Sequence, residues 1–477
     1  MKEKSATKLS RADDHILRMG HGTFIFFIIF TAVFYKERLL NGDAAYYTFH
    51  VINYEEFFTK HARYISYFTQ WAPLMVIKLG GSLKAAMVAY SIIFGLWFYG
   101  MYLVAAHLWK NPKGGVFIAL SLFLTMRYKH YAGHTEITFA IAVASLMMVW
   151  IWTDKSKLNW FSSKIDWTIK LLLLAWLYII HPIIILPLLV VMATDIAYHR
   201  KWKDLQHWGF ITLTIATFIL RFVTVASDSY ESGKISLLST GLEVFQSPGD
   251  YYVFEIIVKY FIQEYIPVMA LFIFILGWMW TQRKHLAIVA LTLGSLALLA
   301  VIMVTYSYLR GDIYIMIDGY LGMLGMIWGT AIYFYVKDVE LKYWMTIFVG
   351  LVLVFSMIRI FEKEYVLRER LEGYEKTFEM YPDQVKLFAP LNLHDWDKFW
   401  YPFEMPVETL MLSSLDGKKN SKTIFVDYDV LGTDGFIEEG DYFISFNQKL
   451  SLDLLNPKFF KLPDDQPYIR IEKVSWK

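Results

Sequence analysis

Three short clusters in this 477-residue chain hold side chains able to move protons, bind metals or grip phosphate. The first is Asn41-Gly42-Asp43-Ala44-Ala45-Tyr46-Tyr47, an acid followed by aromatics just beyond the first apolar segment. Two readings are open for Asp43: a carboxylate at the edge of a membrane-facing site, or a cap on a helix beginning at Ala44. The second cluster is Tyr131-Ala132-Gly133-His134-Thr135-Glu136. His and Glu two apart at a helix start can share a pocket and bind a divalent metal or accept a proton. Its plain reading is an interfacial turn with Glu136 at a helix N-terminus, where an acid is favoured. The third group is cationic: His61 and Arg63, then Arg127 and Lys129, then Arg310 among Tyr306, Tyr308, Asp312 and Tyr314. Arginine holds phosphate bidentately, although such residues also meet lipid headgroups. His181 and Asp318, an acid at membrane depth, complete the candidates.

These groups need a scaffold, and the composition says which kind. Hydrophobic residues make up 56% and charged residues 19%, both shifted toward lipid relative to soluble domains. A net charge of +2, with no basic aromatic-laced run, gives no nucleic-acid signature. There is no cysteine, which excludes disulfides and thiolate chemistry. The basic N-terminus runs into an apolar stretch from Met19 to Tyr35 that ends in Lys36-Glu37-Arg38, which predicts an uncleaved first helix.

Further apolar segments are expected at Ala85–Leu108, Gly114–Met126, Thr135–Trp152, Trp167–Ile180, Ile183–Ile196 and Trp208–Val225. Tyr265–Trp280, Leu286–Tyr306, Ile313–Val336 and Trp344–Ile360 follow. His181-Pro182 decides the topology, because proline there either kinks one helix or separates two. A turn at that dipeptide places the Lys/Arg clusters of the short loops on one side, as the positive-inside rule prefers. The expected fold is an all-α polytopic membrane bundle of about 11 transmembrane helices over residues 1–361. Its N-terminus is cytoplasmic, and its long first external loop, 36–84, contains the amphipathic stretches Tyr46–Phe58 and Tyr64–Leu79. Residues 362–477 are expected to form a small α+β extracytoplasmic domain, with a helix at Lys363–Met380 and strands at Thr423–Val430, Tyr442–Phe446 and Tyr468–Val474.

With an acid in the first external loop and an amphipathic helix behind it, the chain resembles the GT-C superfamily of membrane glycosyltransferases. That group includes oligosaccharyltransferases, protein O-mannosyltransferases and lipid A aminoarabinose transferases. Gly42-Asp43-Ala44 matches the family's first acid, His134-Thr135-Glu136 looks like its second motif, and Arg63 and Arg310 fall where such enzymes place phosphate-binding cations. The first acid is single here, and the second motif has His where relatives have Asp.

The resemblance implies transfer of a sugar from a polyprenyl-phosphate donor to a glycolipid, polysaccharide or protein acceptor, in a bacterial inner (plasma) membrane and on its external face. Asp43 would be the catalytic carboxylate. Arg63, His61, Tyr46, Tyr47, His181, Arg310 and Asp312 would bind substrate, and Asp43, His134 and Glu136 would hold any divalent metal (Mg or Mn). Two other readings stand beside it: a transporter or flippase of lipid-linked glycans, and a non-catalytic envelope assembly protein. The candidate polar residues concentrate at the external ends of the helices rather than along a path through the bundle, which favours a site over a conduit.

Overall fold

The structure, a computed structural model, describes residues 11–60, 63–133, 135–225, 233, 241–308, 314–339, 343–393, 402–426, 440–445 and 448–475. The chain opens with α1 (Arg11–Val33), the short α2 (Tyr35–Leu39), α3 (Asp43–Tyr54) and α4 (Tyr67–Lys78). Next come α5 (Leu83–Leu103), α6 (Pro112–Phe123), α7 (Glu136–Trp152), α8 (Ser163–Tyr178), α9 (Ile185–His199) and α10 (Leu205–Val225). After a connection come α11 (Tyr252–Tyr260), α12 (Ile266–Thr281), α13 (His285–Thr305), α14 (Tyr314–Asp338) and α15 (Tyr343–Phe361).

This is a helical membrane protein. Among the described residues, seven helices are long and apolar enough to cross a bilayer. Their outward residues, such as Ile29, Leu220, Ile273 and Leu293, are apolar and exposed, a surface that lipid covers and water does not. The expected count of eleven spans is therefore too high by the measure of length. Helices α6 and α7 have 12 and 17 residues, short of the roughly twenty a span needs. The shortfall has a physical reason, since almost every residue of both is buried by neighbouring helices rather than facing lipid. Helix α14 packs against α6 closely enough that a Cβ on Gly325 would lie 2.9 Å from the Ser121 carbonyl oxygen. Small residues permit such approach where lipid gives no hydrophobic drive between helices.

The chain reverses at His181-Pro182. Glu136, opening α7, and His181, just before α9, line one cavity. At the far ends of the same helices, the Trp152 indole donates to Asp195 at 2.9 Å. Helices α7 and α9 thus run the same way, and α8 returns between them. The proline sits at the start of a 3-10 turn, where its missing amide hydrogen is no loss. Another boundary differs from expectation: the helix expected from Tyr265 already begins as α11 and continues through a π-helical turn, Phe261–Tyr265, into α12.

Beyond α15 lie α16 (Glu364–Met380), β1 (Lys386–Ala389), α17 (Met405–Ser414), β2 (Thr423–Val426), β3 (Tyr442–Ser445), β4 (Gln448–Ser451) and β5 (Ile469–Arg470). Strand β1 is central in a parallel three-stranded sheet of order β2-β1-β5, and β3 and β4 form an antiparallel hairpin. Parallel strands need buried faces, and β1 and β2 are buried throughout. Apolar residues of α3 and α5 share one core with those of α16, α17 and the sheet, so this region is packed against the first loop.

Candidate functional site

The site begins with a backbone turn. Gly42 has φ 56° and ψ −138°, a conformation glycine adopts without a Cβ clash, and it stands at the N-cap position of α3. Asp43 is the first residue of the helix and makes no capping hydrogen bond through its side chain. The amides of Ala44 and Ala45 are satisfied instead by the carbonyls of Asn41 and Gly42, at 3.1 and 2.9 Å. The helix-cap reading of Asp43 therefore does not hold. Its carboxylate is exposed at the positive end of the α3 dipole, where negative charge is favoured.

Two sets of contacts hold this turn. From the bundle, buried Arg38 donates to Ser91 Oγ at 2.9 Å and to the His130 carbonyl, while its own carbonyl accepts the Gly133 amide at 3.0 Å. That links the first loop to the segment leading into Glu136. From the C-terminal region, Glu408 on α17 accepts the Gly42 amide at 2.8 Å and the Tyr374 hydroxyl at 2.7 Å. Arg370 lies 3.3 Å from Glu408 and also donates to the Leu40 carbonyl. With α16 and α17 both gripping residues 40–42, the presentation of Asp43 depends on the C-terminal region.

Asn41, Asp43, Arg63, Lys129, Glu136 and His181 line a cavity of about 70 Å³ together with Tyr306 and Tyr320. Room for a few water-sized groups suits a polar reacting centre rather than a large apolar ligand. Arg63 and Glu136 are nearly buried and 3.7 Å apart, an ion pair across the cavity wall. Burial pulls the Lys129 ammonium below its ordinary pKa, and the negative charges of Glu136 and Asp43 oppose that fall. The His181 ring accepts the Ile183 amide through Nδ1 at 3.3 Å, which leaves Nε2 as the protonated nitrogen of the neutral ring. Asn41 is 2% exposed, and neither polar atom of its side chain has a hydrogen-bond partner among the described residues. A buried amide on a cavity wall with its bonding capacity open can bond a group that enters, water included.

Of the residues expected at the site, Asp43, Arg63, Glu136 and His181 line this cavity together. Tyr46 and Tyr47 do not: Tyr46 meets His50 and Phe58 edge to face, and the Tyr47 hydroxyl accepts the Lys60 amide at 3.2 Å. His61, His134, Arg310 and Asp312 lie outside the described residues. The second-loop cations part company. Lys129 faces the cavity, whereas Arg127 is buried in a network with Asp318, Glu264 and the Tyr260 ring. Asp318 accepts Arg127 Nε at 2.9 Å and the amides of Arg127 and Lys129 at 3.0 and 2.9 Å. That acid at membrane depth is a brace for the loop that carries Lys129. As for a metal, no three His, Asp or Glu side chains are grouped as ligands among the described residues, and the Glu136 carboxylate already faces Arg63.

Two acids near Asp43 were not singled out from the sequence. Glu404 and Glu408 stand four apart in Phe403-Glu404-Met405-Pro406-Val407-Glu408-Thr409-Leu410, and both are fully buried. Two acids on one helical face within an apolar stretch were the available signal. Burial raises the Glu404 carboxyl well above the ordinary glutamate value. The nearby charges of Asp43 and Glu408 push it further, against the opposing pull of Arg370.

No family model, curated protein or solved structure matches the chain.

Proposed function

We propose that this protein is an integral membrane glycosyltransferase that moves a sugar from a polyprenyl-phosphate donor to a hydroxyl of a glycan, glycolipid or protein acceptor. One observation carries the reading. Four separate segments deliver an exposed carboxylate, two cations, an unpartnered amide and a histidine to one small cavity at the end of a lipid-facing bundle.

The chemistry asks for few groups. The acceptor oxygen attacks the anomeric carbon while its proton passes to the Asp43 carboxylate. The bond from that carbon to the phosphate oxygen breaks, and its electron pair leaves with the lipid phosphate. Arg63 and Lys129 stabilise the charge that builds there. Asn41 and His181 hold sugar hydroxyls, and protonated Asp43 then releases its proton to water. A single displacement of this kind inverts the anomeric centre.

The distribution of charge supports the orientation in this reading. Lys110 bonds the Lys157 carbonyl, Lys284 the Tyr198 carbonyl, and Lys337 lies 3.3 Å from His199, so the basic loops gather at the end of the bundle opposite the cavity. The positive-inside rule supports a cytoplasmic position for that end, and with it an external position for Asp43 and the C-terminal region, at a plasma membrane such as the bacterial inner one.

The test is purified protein in nanodiscs with radiolabelled polyprenyl-phosphate sugars, alongside mass spectrometry of external glycolipids from cells lacking the gene. Truncated acceptors, and transfer lost in Asp43→Asn, support the reading. Donor trapped on the inner leaflet with intact transfer chemistry elsewhere would replace it with a flippase.

A further inference from the structure

His21 and His107 meet at the end of the bundle remote from the cavity. Their Nε2 atoms are 3.1 Å apart, His21 on α1 and His107 on the turn that continues α5. The ring centroids lie 5.1 Å apart with the planes at 39°, so the rings meet through their nitrogen edges rather than by stacking. Lys110, three residues beyond His107, belongs to the basic loops that lie opposite Asp43. Water reaches the pair. His107 and Gly22 are exposed, and a Cβ on Gly22 would meet nothing within 4 Å. Arg18 and Asp14, an exposed ion pair, stand about one and two turns back on the same face of α1.

Two features place the rings. The α-helical ladder of α5 gives way to a π-turn, Val104–Leu108, closed by the Trp109 amide on the Val104 carbonyl at 2.9 Å. A π-turn inserts a residue into the ladder and resets the face that the end of a helix presents; such turns gather at functional sites. His21 is held from behind. Its Nδ1 lies 2.8 Å from the Tyr99 hydroxyl, and Tyr99 and Tyr102 both meet its ring edge to face. With Nδ1–H donating to that oxygen, Nε2 keeps its lone pair and faces Nε2 of His107. Two such lone pairs repel unless a proton or a metal ion lies between them. Nitrogens 3.1 Å apart, each about 2.0–2.1 Å from one ion, subtend roughly 100° at it, between the square-planar and tetrahedral values. We propose that His21 and His107 form a two-histidine site for a borderline divalent transition metal (Cu²⁺, Ni²⁺ or Zn²⁺), with Tyr99 orienting the first ligand and water filling the open positions. The ion fastens α1 to α5 at that end of the bundle. Nothing in this site depends on the glycosyl-transfer reading.

The test uses full-length, tag-free protein in nanodiscs, with Cu²⁺ as the probe and electron paramagnetic resonance as the readout. One Cu²⁺ per chain is expected, its signal split by two imidazole nitrogens. His107→Ala should lose that signal, and because the residue is exposed the variant folds. Tyr99→Phe keeps both ligands and should weaken binding by about 10–100-fold. Zn²⁺ should raise the melting temperature of the wild type and leave that of the His21→Ala/His107→Ala double variant unmoved. A two-nitrogen signal that survives in His107→Ala puts the ion elsewhere and overturns the proposal. So does copper affinity no higher in the wild type than in the double variant, which leaves the pair as a plain hydrogen bond.

Discussion

The Gly42 amide donates to the Glu408 carboxylate at 2.8 Å across 366 residues of sequence. Because Glu408 also takes the Tyr374 hydroxyl and faces Arg370, one side chain ties the turn before Asp43 to two helices of the C-terminal region. Glu408→Ala leaves a buried arginine, a hydroxyl and an amide without their partner. Breaking such a pair costs about 3–5 kcal/mol. The expected result is a lower melting temperature and faster proteolysis of the C-terminal region, with Glu408→Gln falling between alanine and wild type.

Gly42→Ala tests the turn itself. At φ 56° and ψ −138° an alanine is strained by roughly 1–3 kcal/mol, and the relief available is rotation of the first turn of α3. Asp43 would swing with it. Transfer should fall by more than stability does, which comparison of turnover with thermal unfolding will read directly.

Asp43→Asn and Arg63→Ala separate the base from the cation. Asp43 is exposed and makes no cap, so its replacement should leave stability within about 0.5 kcal/mol while abolishing transfer. Arg63→Ala removes the proposed phosphate ligand and the partner of Glu136, and turnover should drop by about 10²–10³-fold. Arg63→Lys keeps the charge but not the fork, and should recover only part of that loss.

Asp318→Ala should behave in the opposite way. Asp318 does not itself line the cavity, yet it braces Arg127 and two loop amides, one of them that of Lys129. Losing it removes one of the two acids on a buried arginine and leaves two amides without their acceptor, at a cost of about 3 kcal/mol. Less folded protein in the membrane is expected, measured by fluorescence-detected size exclusion, with Lys129 displaced along with its loop.

Glu404 predicts a pH dependence of known sign. Its folded-state pKa is raised, so the folded protein holds the proton more tightly than the unfolded chain. The associated stability is full below the ordinary glutamate value of 4.5 and is lost as pH rises through the raised folded value. Thermal stability of the C-terminal region should therefore decline over that range, and Glu404→Gln should flatten the decline.

Much of this was legible in the order of residues. Asp43 and Glu136 both stood at helix starts beyond apolar segments, and Pro182 with the basic loops pointed to a reversal at His181. The span count was not legible, because hydropathy reports apolar content, and α6 and α7 are apolar through burial by protein rather than by lipid. Asp318 looked functional because an acid at membrane depth is costly, and only the fold reveals that Arg127 compensates it. Glu404 and Glu408 escaped for a different reason. Their contacts with the first loop lie hundreds of residues upstream, and no local periodicity encodes a contact of that separation.

The clasp between Gly42 and Glu408 also sets an order of events during biosynthesis. Early helices enter the bilayer while the ribosome is still far from α17, and the loop bearing Asp43 must wait outside until the last hundred residues emerge. A nascent or prematurely terminated chain would reach the membrane with the Asp43 carboxylate unaligned, so the turn that presents it is set only with completion.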